Sequence, residues 1–107
     1  MKSAKIIVAY PQPKDAKAFD AVYQNEHVPL AVAKLEGKTK IVATKVLQSP
    51  QAKPAFYCIV EVHFPSMEAL QSCARSIGGQ ETLAHAARIS SGGPPVVMVA
   101  EEDTFTF

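Results

Sequence analysis

Phe56-Tyr57-Cys58-Ile59-Val60-Glu61-Val62-His63-Phe64 reads as a β-strand of strict alternation: Phe56, Cys58, Val60, Val62 and Phe64 are predicted to point one way, Tyr57, Ile59, Glu61 and His63 the other. The first set is wholly apolar and belongs against helices. The second mixes bulky apolar groups with two ionisable ones, which suits a half-enclosed surface better than open solvent. A sheet built around this strand therefore has one packed face and one that needs a different cover.

Working outward, Ile6, Ile7, Val8 and Tyr10 make residues 4–10 a strand apolar on both faces, predicted to be covered on both sides and ended by Pro11 and Pro13. Lys40 to Leu47 carries β-branched residues in partial alternation and is a further strand, with residues 49–54 as the loop after it. Beyond the central strand, Ser66 is the predicted N-cap of a helix with Glu68 in its first turn. Leu70, Cys73, Ala74 and Ile77, at i, i+3, i+4 and i+7, give that helix one core stripe before Gly78-Gly79 breaks the pattern. A short helical piece from Gln80 to about Ala87 carries His85, expected to be exposed, and residues 96–100 form a last strand, again apolar on both faces. The order is β-α-β twice over. It predicts an α+β, ferredoxin-like βαββαβ domain spanning residues 1–107: a four-stranded antiparallel sheet with its helices on one face. The uncovered face is too apolar for a monomer, so a homodimer joined through its sheet faces, a dimeric α/β barrel, is expected.

The first helix carries the candidate chemistry. Asp15 is its predicted N-cap, and Phe19, Val22 and Tyr23 mark one face. His27 continues that row, so Phe19, Tyr23 and His27 are expected to form one ridge toward the core, with the imidazole at the mouth of an apolar cleft. Val28 precedes Pro29 and is biased away from helical geometry, which predicts a stop or kink beside His27. Two readings of His27 are open. It exchanges a proton with a carbonyl or hydroxyl held in the cleft, helped by the Tyr23 hydroxyl, or it caps the carboxyl end of the helix while Tyr23 is a buried structural tyrosine. Glu61 and His63 likewise form either a charge-coupled pair at a ligand or a polar lock between subunits.

Composition narrows the function. With 107 residues, 48% of them hydrophobic, the chain fits one core. A net charge of +1 with eleven scattered Lys and Arg offers no stripe for a phosphate backbone, so no nucleic-acid partner is expected. No stretch is long and apolar enough to span a membrane, and the amino-terminal run reads as a strand rather than a signal peptide, so a cytoplasmic protein is expected. Cys58 and Cys73 belong to no Cys-x-x-Cys pair and read as buried, reduced thiols. The spacing of His27, His63 and His85 suggests no metal site, and the prolines after Gly92-Gly93 exclude a phosphate cradle.

Tyr10-Pro11, Phe19-Asp20, Tyr23, His27-Val-Pro-Leu-Ala31, Val46-Leu47, Tyr57 with Glu61, Ser66-Met-Glu-Ala-Leu70 and Gly92-Gly93 together resemble the EthD family of dimeric α/β-barrel proteins. The resemblance covers essentially the whole chain and is most specific in Tyr23 with His27-Val-Pro-Leu30. It implies a ferredoxin-like subunit paired sheet to sheet. It also implies a pocket for a small apolar organic compound of ether, lactone or aromatic type, bound and transformed without a cofactor in small-molecule catabolism, as by an isomerase, monooxygenase or lyase. The catalytic candidates are His27 and Tyr23, and the candidate ligand contacts are Tyr10, Phe19, Leu30, Tyr57, Glu61 and His63. The alternatives are a non-catalytic dimeric binding or accessory module, in which His27 is structural, and a haem-binding barrel, for which no histidine is clearly placed as an axial ligand.

Overall fold

Strands β1 (Ser3–Pro11), β2 (Lys40–Lys45), β3 (Phe56–Phe64) and β4 (Val96–Glu102) form one antiparallel sheet in the order β2-β3-β1-β4, the ferredoxin-like arrangement. The computed structural model describes residues 2–50 and 52–107, so Gln51 of the expected loop lies outside the described residues. Register follows alternation. Ile6, Val8 and Tyr10 pair with Val62, Val60 and Cys58 on one face, whereas Lys5, Ile7 and Ala9 pair with His63, Glu61 and Ile59 on the other. The first set joins Phe64 and Leu70 in a buried core, where each large aliphatic or aromatic side chain contributes roughly 1.5–3 kcal/mol. Four helices cover that face: α1 (Ala16–Val22), α2 (Val28–Lys34), α3 (Met67–Arg75) and α4 (Ile77–Ile89). Both predicted N-caps are in place, Asp15 accepting from the Ala18 amide at 3.1 Å and Ser66 from the Ala69 amide at 3.2 Å.

Pro29 does not end the first helix. In an α-helix its ring would meet the carbonyl of Asn25, and it has no N–H to donate. The chain inserts a π-helical turn over Tyr23–His27 instead: the Val28 amide donates to the Tyr23 carbonyl five residues back, and Val28 stays helical at φ −60°, ψ −49°. Pro29 then falls in the first turn of α2, where a missing N–H costs nothing.

Three other expectations are corrected. Between Tyr10 and Pro11 the β1–β3 register skips Tyr57, a β-bulge that turns this side chain to the helix side, where its hydroxyl donates to both oxygens of Asp20 at 2.9 Å. Ser76, not Gly78-Gly79, separates the later helices. Its φ −71°, ψ 159° ends α3, its hydroxyl accepts from the Gly79 amide at 2.9 Å, and Ile77 is left exposed rather than in the core stripe. The glycines lie inside α4 because a Cβ on Gly79 would clash with the Cys73 carbonyl and one on Gly78 with the Lys34 carbonyl. Finally, β4 is an edge strand: Val97 and Val99, paired with Val8 and Ile6, point to the helix side yet are 46% and 58% exposed. Among the described residues no helix is long and apolar enough to cross a membrane.

Candidate functional site

The four-residue spacing that sequence assigned to one ridge holds through the π-helical turn, so Phe19, Tyr23, His27 and Ala31 all face the sheet and are buried. Their rings form a column. Phe19 and Tyr23 stack at 5.9 Å, Tyr23 and His27 follow at 5.7 Å, and Tyr10 from β1 sets its edge against Phe19 at 5.1 Å and Tyr23 at 6.1 Å. Beside this column lies a cavity of about 360 Å³, walled by Val8, Val60 and Val62 of the sheet, by Val28 and Ala31, and by Leu83 and Ala86 of α4. That size suits a small organic molecule. Tyr10, Tyr23 and His27 bring polar groups to its wall, with Gln24 and Thr82 also in the lining.

The column continues into α4. Gly78 lets that helix touch the backbone of α2 at Lys34, and about two turns further along each, in antiparallel sense, His85 meets His27. The imidazoles lie edge to edge and nearly coplanar, their centroids 5.1 Å apart and their planes within 7° of parallel, with their Nδ1 atoms 2.9 Å apart. His85, expected to be exposed, is half-buried for this reason. A stripe of small residues, Gly78, Thr82 and Ala86, along one face of the segment was the available signal that α4 packs closely, but it names no partner for His85. The other nitrogen of His27, Nε2, lies 3.5 Å from the Tyr10 hydroxyl. Neither nitrogen bonds a helix carbonyl, as a capping role would require.

Burial, with the His85 ring beside it, lowers the His27 pKa to about 4, so the imidazole is neutral at pH 7. Burial pushes Tyr10 well above the ordinary phenol range and Tyr23 up to about 12. Both stay protonated donors. Thr82 is spent on the Gly78 carbonyl at 2.7 Å. Burial also raises both thiols, so Cys58 and Cys73 are free, buried and un-ionised. The set is a neutral imidazole and two phenols around an apolar void, which can hold a carbonyl or hydroxyl and exchange a proton with it.

The remaining candidates lie elsewhere. Phe19 supports the ring column, Leu30 does not line the cavity, and Tyr57 closes a shallower hollow with Asp20 and Lys45 next to the Tyr23–Gln24 wall. Glu61 and His63 are on the opposite face of the sheet from His27. His63 has Nε2 3.3 Å from Glu61 and Nδ1 3.4 Å from Glu102, while Lys5 binds Glu61 at 2.7 Å and Glu102 at 3.7 Å. Among the described residues no three His, Cys, Asp or Glu side chains converge as a metal site requires.

The EthD domain profile matches residues 11–91. An ethyl tert-butyl ether D (EthD) family protein from Bacillus halodurans C-125 is 31% identical, over 96% of this chain and 100% of that one, with a TM-score of 0.83. An EthD-like protein from Ralstonia eutropha JMP134 is 24% identical over 94% and 91% of the two chains, with a TM-score of 0.71. A dimeric protein of ferredoxin-like fold from Bacteroides fragilis NCTC 9343, 12% identical over 94% and 96%, superposes with a TM-score of 0.63 and shares the fold alone. No curated protein matches the sequence.

Proposed function

We propose, starting from the fact that this chain belongs to the EthD domain family, that it binds a small uncharged organic compound between helices and sheet and moves a proton on it without a cofactor. The observation that carries this reading is the 360 Å³ apolar cavity with Tyr10, Tyr23 and His27 gathered in its wall. A charged ligand would meet no countercharge there. One with an apolar body and a carbonyl or hydroxyl would place the oxygen against the Tyr10 or Tyr23 hydroxyl, leaving His27 Nε2 to take or give the proton. Isomerase or lyase chemistry needs no more than these groups.

The subunit is proposed to act as a homodimer joined through the open sheet face. Val96 and Met98 on that face are 42% and 44% exposed, beside half-buried Ile7, Val42 and Ile59, an apolar area that a second copy would cover. The Bacteroides fragilis neighbour of the same fold is itself dimeric. In that assembly the Lys5, Glu61, His63 and Glu102 cluster would lie between subunits as a polar lock.

Titrating the ¹⁵N-labelled protein with a butenolide, a naphthoquinone and a substituted phenol tests the cavity. At least one is expected to shift the Ala31, Val60 and Leu83 amides, with binding lost in Val60→Trp, which fills the void. His27→Phe is expected to abolish proton exchange on the bound compound. Shifts scattered over the exterior, or binding indifferent to Val60→Trp, would remove the proposal; binding without any proton exchange would leave a carrier rather than an enzyme.

A further inference from the structure

As an acid–base group His27 faces an energetic difficulty. The residue is 7% exposed, and a proton taken up and kept would leave a cation in an apolar wall. The geometry around it offers a way out. Two neutral imidazoles that meet through Nδ1 atoms 2.9 Å apart hold one proton between them: one nitrogen donates, the other accepts, and the tautomer of each ring dictates that of the other. On the cavity side, His27 presents Nε2. On the far side, His85 Nε2 has no hydrogen-bond partner among the described residues. Since no buried side-chain nitrogen or oxygen among the described residues lacks one, and His85 is not in the cavity wall, that atom reaches solvent.

We infer that His85 is a proton relay joining the cavity-facing nitrogen of His27 to bulk water. The inference rests on the acid–base reading above and states how that site discharges its proton. In the outward step an O–H bond of the ligand, or a C–H bond beside its carbonyl, breaks and the proton bonds to His27 Nε2. The Nδ1 proton of His27 passes to His85 Nδ1, and the Nε2 proton of His85 passes to water. The ligand keeps the electron pair as an enolate or alkoxide whose oxygen accepts from the Tyr10 or Tyr23 hydroxyl for the life of the intermediate, both rings end neutral with exchanged tautomers, and nothing is oxidised or reduced. Reversing the three transfers returns a proton to the same or a neighbouring ligand atom and resets both rings. The substrate class that uses both directions is an apolar carbonyl compound with an acidic α-hydrogen, isomerised by losing and regaining a proton. Burial alone would make His27 a weak base at pH 7; with the relay no charge has to stay in the cavity wall.

The ligand-free protein suffices as a test, so failure here stays distinct from failure to find a compound that fills the cavity. With ¹⁵N-labelled histidine at pH 8, long-range ¹H–¹⁵N spectra are expected to place one proton on the facing Nδ1 pair. His85→Phe keeps a planar ring in place but no nitrogen, and exchange of the His27 ring proton with water is expected to slow at least tenfold. His85→Gln accepts a hydrogen bond but passes no proton on; it is expected to behave likewise and decides the matter if the Phe variant does not fold. A purely structural His85 would, once removed, loosen the site and speed exchange. Unchanged, faster or less than tenfold slower exchange in a folded variant overturns the relay, as do two unprotonated Nδ1 atoms in the wild type.

Discussion

His27 and His63 lie on opposite sides of one sheet and are almost equally buried, at 7% and 5% exposure, yet their surroundings have nothing in common. Around His27 are Tyr10, Tyr23 and a second imidazole, with no charged group in contact, so the neutral ring is favoured. Around His63 are two carboxylates and, bridging them, Lys5. Burial therefore does not assign a histidine its role; the charges within hydrogen-bond reach do. The helix side is suited to an uncharged small molecule. The open side, with Ile7, Val42, Ile59, Val96 and Met98 beside one compact ion cluster, is suited to a second protein surface that must meet it in a single register.

The contrast breaks most decisively at Ile59, on the open face next to Ala9. Ile59→Asp is expected to weaken self-association on the order of 1,000-fold, about 4 kcal/mol, by placing an unpaired carboxylate in each half of the interface. Sedimentation equilibrium reads this, and amide shifts of the cavity residues are expected to stay put. Association that survives would mean this face is not the interface.

Acid separates the two sides next. The folded-state pKa of His27, about 4, lies below its ordinary 6.5, so the unfolded chain binds more protons in that interval. The stability contribution is full above pH 6.5 and is lost as pH falls through the folded value, at most about 3 kcal/mol. Glu61 has the same sign but a lower window: the Lys5 ammonium holds its carboxyl below the usual range, so its contribution persists until pH falls below about 4. Urea unfolding at pH 7 and pH 4.5 is expected to show the first loss and little of the second, and His27→Phe is expected to flatten it. A slope that survives that substitution would show that the imidazole is not held neutral.

The smallest effect sharpens the boundary between the faces. Tyr57→Phe removes the hydroxyl given to Asp20 and is expected to cost about 1 kcal/mol in thermal unfolding without changing association. Were Tyr57 on the open side, as alternation alone predicts, association would change and stability would not.

Much of this molecule was legible from local pattern. The alternation in β3 from Cys58 to Phe64, the caps at Asp15 and Ser66 and the Phe19–Tyr23–His27 ridge depend on neighbours within a few residues, and all are found. Half of the histidine pair was legible too, because His27 continues a helical row. His85 was not: its partner is 58 residues away, and their meeting depends on α4 touching α2 at Gly78, a contact with no periodicity to reveal it. Tyr57 was misread because a β-bulge adds one residue to the regular count and so changes the facing of that side chain, while the π-helical turn before Pro29 lets the helix run on and keeps the ridge on one face.

Sequence by itself determined which side chains are apolar in which rhythm, and with that the strands, the helices, their order and the two-sided character of the sheet, because burial rewards periodicity directly. Only the tertiary structure decided which polar groups meet. Hydrogen bonds between helices, such as that between His27 and His85, are set to tenths of an ångström by how closely two backbones approach, and that distance belongs to the packed molecule.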